Sequence, residues 1–247
     1  MFGRTTLILL ALAAFLGATQ LAAAMPFTDA HDSGPQAASQ PAPAPRDPHG
    51  PLTGSIAQTN ETWVCSGPVD LDSVTVTMTS AITTRRGADA VHLEPGCTGR
   101  IGRLVVATSV ADAVKVAEGV HDLRVTGGSI QCTAKLPDMH QDGIQVMGGE
   151  RITFSGLRID CGRSSDSLIN SNLFINQAGK SSRPPTDVLC VSCFLGGAAA
   201  HTVNIQSSIR SGVISSTVCT AKYPNLTLTV GPTAVDPVDS DNVLGGC

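Results

Sequence analysis

Through the middle of the chain, apolar and polar positions alternate in short runs. Val114/Val116 and Ile144/Val146 alternate with Asp112/Lys115 and Asp142/Gln145; Ile152/Phe154, Leu157 and Ile159 alternate with Thr153, Arg158 and Asp160. A period of two over four to six residues predicts half-buried strands. Between the runs stand Gly127-Gly128, Gly148-Gly149 and Gly156, suited to tight corners that need positive φ. No helical period follows the N-terminal segment.

The runs also repeat. Ala111–Val116 with His121–Cys132, Gln141–Val146 with Arg151–Cys161, and Ser171–Asn176 with Asp187–Gly196 superimpose at a period of about 30 residues. A looser copy follows at Thr202–Gln206 and Val213–Val218, and earlier coils are expected at Trp63–Met78 and Ala90–Val106. Strands repeated this closely, with no room for crossover helices, predict an all-β parallel β-helix, a solenoid of about six to seven coils. Each strand then pairs with its copies about 4.8 Å above and below. A solenoid needs a cap at its N-terminal end, and no capping helix is recognisable in the sequence.

Residues 1–24 read as a signal peptide: Arg4, an apolar run Leu7–Gly17, then Ala22-Ala-Ala24. Residues 25–58, rich in Pro, Ala, Ser and Gln, read as a disordered linker, leaving 59–247 as the β-helix domain. The apolar run is short for a membrane span and none follows, so the mature chain is expected to be secreted, without a span, and monomeric. The eight cysteines, an even number in such a chain, predict a disulfide-stabilised domain. Cys132 and Cys161 share a column of neighbouring coils and are expected to pair, as are Cys65 and Cys97; Cys247 is expected to tie the tail to the last coil. Cys190 falls beneath Phe154 and Cys193 beneath Leu157, both inward; their C-x-x-C spacing leaves a zinc or redox reading open.

A formal net charge of −4 argues against nucleic acid as a partner. Aromatic residues at 3% leave little for stacking on neutral sugars, so recognition of a glycan would be polar or ionic. Stacking the repeats makes columns: Asp112, Asp142, Asn172 and His201 in one, Lys115, Gln145, Ile175 and Asn204 in the next, with His140 and Asn170 flanking. Two carboxylates about 4.8 Å apart resist joint ionisation, so one pKa rises or a hard cation such as calcium binds, with Asn172 as a neutral ligand. The plainer reading is a structural ladder, since Asp and Asn bond backbone at such corners. Arg151, Arg158 and Arg163 suit a uronate or sulfate group, or a solvated face paired with Asp160 and Asp166.

The segment His140-Gln-Asp-Gly-Ile-Gln145, with Gly148-Gly149 and Ile152-Thr-Phe-Ser-Gly-Leu-Arg-Ile159, resembles the coil pattern of right-handed parallel β-helix proteins, the pectate-lyase-like superfamily of secreted polysaccharide-active proteins. The resemblance covers residues 61 to 230. It implies a right-handed helix and an acidic polysaccharide or cell-wall glycan as partner. In the lyases, calcium clamps a uronate carboxylate and a basic side chain removes the α-proton. Carried over, Asp112 and Asp142 hold the metal, His140, Lys115 and Arg158 are the catalytic candidates with His140 first, and Gln145, Arg151 and Asn172 bind substrate. The polygalacturonase motifs Asn-Thr-Asp, Asp-Asp, Gly-His-Gly and Arg-Ile-Lys are missing, as are the signature stretches of classical pectate lyases. Two functions follow as expectations: calcium-assisted β-elimination on an acidic polysaccharide, or a non-catalytic wall or surface protein that binds glycan or serves as a rod.

Overall fold

The alternating runs do form strands, and from Val91 to Ile205 each lies parallel beside the strand three places further along the chain. The structure is a computed structural model. It describes residues 50–79, 81, 88–132, 140–161, 170–178, 181–196, 199–221, 227–234, 241–245 and 247, all within one compact unit. The expected signal peptide, most of the expected linker, Arg163 and Asp166 lie outside the described residues.

The first row of strands is β2 (Trp63–Cys65), β4 (Val91–Leu93), β7 (Val114–Val116), β10 (Asp142–Val146), β13 (Ser171–Ile175), β16 (His201–Ile205) and β19 (Leu228–Val230). The second is β5 (Thr98–Ile101), β8 (His121–Val125), β11 (Glu150–Ser155), β14 (Thr186–Val191) and β17 (Gly212–Ile214). The third is β6 (Leu104–Thr108), β9 (Gly128–Gln131), β12 (Leu157–Asp160), β15 (Phe194–Leu195), β18 (Thr217–Val218) and β20 (Val243–Leu244). The long β3 (Pro68–Thr77) joins the last two rows: Pro68–Leu71 pairs with β5, and Val74–Thr77 with β6. The result is an all-β parallel solenoid, with no helix among the described residues.

At the N-terminal end, β1 (Leu52–Thr59) lies parallel on β3, with Leu52 and Ile56 packed on the core. A strand, not a helix, therefore covers this end, and it takes in residues 52–58 of the segment read as linker. Its apolar residues have a place to pack only once β3 is formed, a tertiary effect that local composition does not carry.

One side chain of each inward pair fills the interior. Val114, Ile144, Leu173 and Val203 stack from the first row, Leu123, Ile152, Val188 and Val213 from the second, and Leu104, Ile130, Ile159 and Leu195 from the third; all are essentially sealed from solvent. Single left-handed residues turn the chain between the second and third rows: Gly156 (φ 63°), Ser192 (φ 53°) and Ser215 (φ 48°). The serines hold a conformation that costs an L-residue about 1–2 kcal/mol, and neighbouring hydrogen bonds offset it. Buried Ser216 Oγ, for example, accepts the Cys193 N–H at 2.8 Å. Gly128 opens β9 at φ 124°, where a Cβ would sit on the Leu104 carbonyl oxygen, so no other residue fits.

All eight cysteines are paired. Cys65–Cys97 and Cys132–Cys161 form as expected, the latter with Cα atoms 4.4 Å apart on neighbouring turns of the solenoid. Cys219–Cys247 ties the tail down. Cys190 and Cys193 bond each other across the Ser192 corner, which removes them as zinc or dithiol ligands. Phe154 pairs with Cys190, as the repeat predicts.

The columns need one correction. Ile144 follows its partner Val114 by 30 positions, but Leu173 follows Ile144 by 29. Asp142 therefore pairs with Ser171, not Asn172, and Gln145 with Phe174, not Ile175. A slip of one residue exchanges the two faces. Ile175 accordingly points inward beside Leu173 and is fully buried; Asn172, three residues earlier, is buried as well, held by hydrogen bonds to Cys161 and Gly196 and not placed by the alternation. The connection between strands, not the strand itself, absorbs the missing residue.

Candidate functional site

Three consecutive strands of the first row carry the same local pattern: Asp89 with His92, Asp112 with Lys115, and Asp142 with Gln145, each polar pair three residues apart. The register aligns His92, Lys115 and Gln145 on the outer face. The aspartates just before them are nearly or fully buried. Asp89 Oδ1 accepts the Asp112 N–H at 3.0 Å, and Asp112 Oδ1 accepts the Asp142 N–H at 2.8 Å. Each carboxylate thus satisfies a buried backbone donor of the next turn of the solenoid.

The remaining oxygens are also occupied. Lys115 Nζ lies 3.0 Å from Asp112 Oδ2 and 3.2 Å from Asp89 Oδ2. His92 Nε2 pairs with Asp89 Oδ2 at 2.8 Å. Asn170 Nδ2 donates to Asp142 Oδ1 at 3.1 Å. Gln145 stands where a cation would be needed for Asp142, and its Oε1 is buried with no partner among the described residues.

The electrostatics follow from that exchange. Burial, and then the Asp112 charge, push the Asp142 carboxyl well above the usual carboxylate range, and hydrogen bonds from Asn170 and Ser171 offset this only in part. Burial also raises Asp112, against the pull of Lys115. Burial is the largest influence on Asp89 too, but His92 and Lys115 together outweigh it and its pKa is lowered. For Lys115 burial favours the neutral amine, yet Asp112 and Asp89 hold the proton on and its pKa lies above the ordinary value. A general base needs the opposite shift.

Three of the other expected site residues, Asn172, Arg151 and Arg158, lie apart from this cluster. Asn172 is internal: its Oδ1 accepts the Cys161 N–H at 2.9 Å and its Nδ2 donates to Gly196 O, bridging strands through the core. Arg151 is on the second row, where it makes a two-pronged pair with Asp122 (2.6 and 2.9 Å) and reaches Glu150 at 2.9 Å. Arg158 is on the third row, 4.0 Å above the Phe194 ring and 3.2 Å from Asp160. His140 is exposed, with no hydrogen-bond or ion-pair partner among the described residues. The structure therefore brings together Asp112, Lys115, Asp142 and Gln145, and places Arg151, Arg158 and Asn172 elsewhere.

Calcium does not fit the donor set that remains. Asp112 has both oxygens engaged, Asp142 faces an amide N–H donor, and Lys115 brings a fixed positive charge. Among the described residues no three or more His, Cys, Asp or Glu side chains gather as metal ligands. Asp89 and His92 are the members that sequence reasoning missed. Their signal was present: Ala88-Asp-Ala-Val-His-Leu93 repeats as Ala111-Asp-Ala-Val-Lys-Val116, at a shorter spacing than the later copies.

The second row offers a different surface. Asp122, Arg151 and Asp187, each the second residue of its strand, and Arg210, just before β17, hold left-handed conformations (φ 49°, 53°, 53° and 49°) and alternate in charge. Arg210 grips Asp187 with two 2.6 Å bonds, and Arg151 grips Asp122. The arginines lower both carboxyl pKa values, with His121 helping at Asp122. Beside this column a shallow groove of about 410 Å³ is lined by Asp122, Arg124, Arg151, Thr153, Asp187 and Leu189. Arg124 lies in register between Arg100 and Thr153. It is exposed and has no ion-pair or hydrogen-bond partner among the described residues.

No protein-family model, curated protein or solved structure matches this chain. No helix among the described residues is long and apolar enough to cross a membrane. The four disulfides fit an oxidising compartment.

Proposed function

We propose that this chain is a secreted, right-handed parallel β-helix protein of the pectate-lyase-like kind, with about six to seven coils, that binds acidic extracellular polysaccharide without cleaving it. The observation that carries the reading is Arg124: a guanidinium with no ion-pair or hydrogen-bond partner among the described residues, in a groove beside the Thr153 hydroxyl, where the neighbouring Asp122, Arg151 and Asp187 are paired. A carboxylate or sulfate on a sugar is the group such a donor accepts in two-pronged fashion, and a hydroxyl beside it suits a polyol. The non-catalytic half rests on the first row, where Asp112, which would hold the ion, is engaged with the Asp142 backbone and with Lys115.

The test is binding of a fluorescent oligogalacturonate to the secreted domain, with a neutral oligosaccharide as control and with the unsaturated product followed by absorbance. Selective binding of the acidic chain, weakened by Arg124→Ala and with no product formed, supports the reading. Binding that ignores Arg124, or equal binding of the neutral chain, sinks it. Product formation that needs calcium returns the elimination reading with Asp112 and Asp142 at its centre.

A further inference from the structure

A second cleft, also of about 410 Å³, lies where the first row passes into the second; Glu118, Val120, His121, Glu150, Arg183 and Ile209 line it. That is the size of a site for one small molecule. Its outer wall is a strap, Ser181–Pro185, that returns from beyond β13 to the turn after β7. Glu118 fixes the strap: Oε2 accepts the Ser182 N–H at 2.7 Å and Oε1 accepts the Ser182 hydroxyl at 2.6 Å. Ser181 Oγ then donates to the Arg183 carbonyl at 2.7 Å. The approach is close because residue 148 is glycine; a Cβ there would lie 2.8 Å from both Ser181 Oγ and Glu118 Cα.

The strap leaves the chemistry of the cleft uneven. Both Glu118 oxygens are engaged by the strap. Glu150 places Oε1 on Arg151 at 2.9 Å, and its second oxygen has no bond among the described residues. His121 pairs through Nδ1 with Asp122 at 2.9 Å. Arg183 is exposed, and its guanidinium has no hydrogen bond or ion pair among the described residues, its charge acting on Glu118 only from a distance. Around these groups lie Val120, Pro184 and Ile209, the last 39% exposed and one of few large apolar side chains at the surface among the described residues. An apolar body, an anionic head for Arg183 and a hydroxyl donor for Glu150 together complement this lining.

We propose that the cleft beneath the Ser181–Pro185 strap binds a small hydroxyaryl carboxylate, its carboxylate on Arg183, its ring against Pro184 and Ile209, and its hydroxyl donating to Glu150. Guanidinium and proline faces both pack well on flat rings. The site is separate from the Arg124 groove and does not depend on the glycan reading.

Titration of the folded protein with 4-hydroxycinnamate, read by calorimetry, tests this. Saturable binding is expected for the wild type and for Arg124→Ala. Arg183→Gln should weaken it about tenfold or more, the worth of a charge-assisted pair. The neutral amide of the same acid should weaken to a similar degree on the wild type. Arg183 is on the surface, so the variant should melt with the wild type. No saturable binding to the wild type, equal affinity for acid and amide, or unchanged affinity in Arg183→Gln would each overturn the proposal.

Discussion

Asp112 Oδ1 accepts the backbone N–H of Asp142 at 2.8 Å, across two neighbouring turns of the solenoid. Asp89 makes the same bond to Asp112 at 3.0 Å. The aspartate column is thus a relay of buried carboxylates, each closing a backbone donor that the strand ladder leaves open. Replacing Asp112 with Ala removes that acceptor and a partner of Lys115. A loss of about 2–4 kcal/mol is expected in urea unfolding. Asp112→Asn keeps an acceptor oxygen and should lose less than half as much.

Asp142 ends the relay without a cation. Its carboxyl is fully buried and its pKa is raised, so the folded state holds the proton where the unfolded state releases it. The stability this gives is complete below the ordinary value of 3.8 and is lost as pH rises towards the folded value. Asp142→Asn should therefore match the wild type in acid and gain on it as pH rises towards neutrality. Thermal melts of both proteins across pH check this. A constant gap between them, or a gap that widens towards acid, would show that Asp142 is ionised in the fold.

Lys115 is the cation that Asp142 lacks. Its Nζ sits between Asp89 and Asp112, and its side chain is 27% exposed. Lys115→Met should keep the packing of the stem and cost roughly 1–3 kcal/mol, less than a sealed pair because solvent screens part of the charge. The cost should fall in Lys115→Met/Asp112→Asn, which removes one of the stranded charges. Additive costs in that double variant would mean that the pair does not interact.

The Cys132–Cys161 bond joins neighbouring turns beside the core. Changing both to Ala should cost about 2–4 kcal/mol. Peptide mapping without reduction should recover the four pairs found here, including the local Cys190–Cys193 link; Cys132 as a free thiol would contradict the stacking.

The strand rows and two of the disulfides were legible because inward residues alternate strictly and the copies are nearly equal in length. Val114, Ile144 and their cysteine columns needed nothing else. Asn172 was misplaced because the turn from Val146 to Glu150 is one residue shorter than that from Val116 to His121, so every later position shifts by one against the 30-residue period. Asp89 and His92 escaped because their turn of the solenoid is shorter still, so the repeated Ala-Asp-Ala-Val fell outside the window set by the later copies. Arg151 was set against Asp160 and Asp166, or a substrate anion, because its partner Asp122 is on the preceding turn, and because an arginine at φ 53° is not a residue from which a corner is read. Paired aspartates in a sequence suit a metal and a hydrogen-bond relay equally; the positions of the Asp142 amide and the Lys115 ammonium distinguish them.

A calcium titration of the purified domain tests this account most directly. The relay predicts no saturable binding heat and the same melting temperature in calcium and in chelator, for the wild type and for Asp142→Asn alike. A saturable calcium-dependent rise in melting temperature that Asp142→Asn abolishes would contradict it and make the first row an ion site.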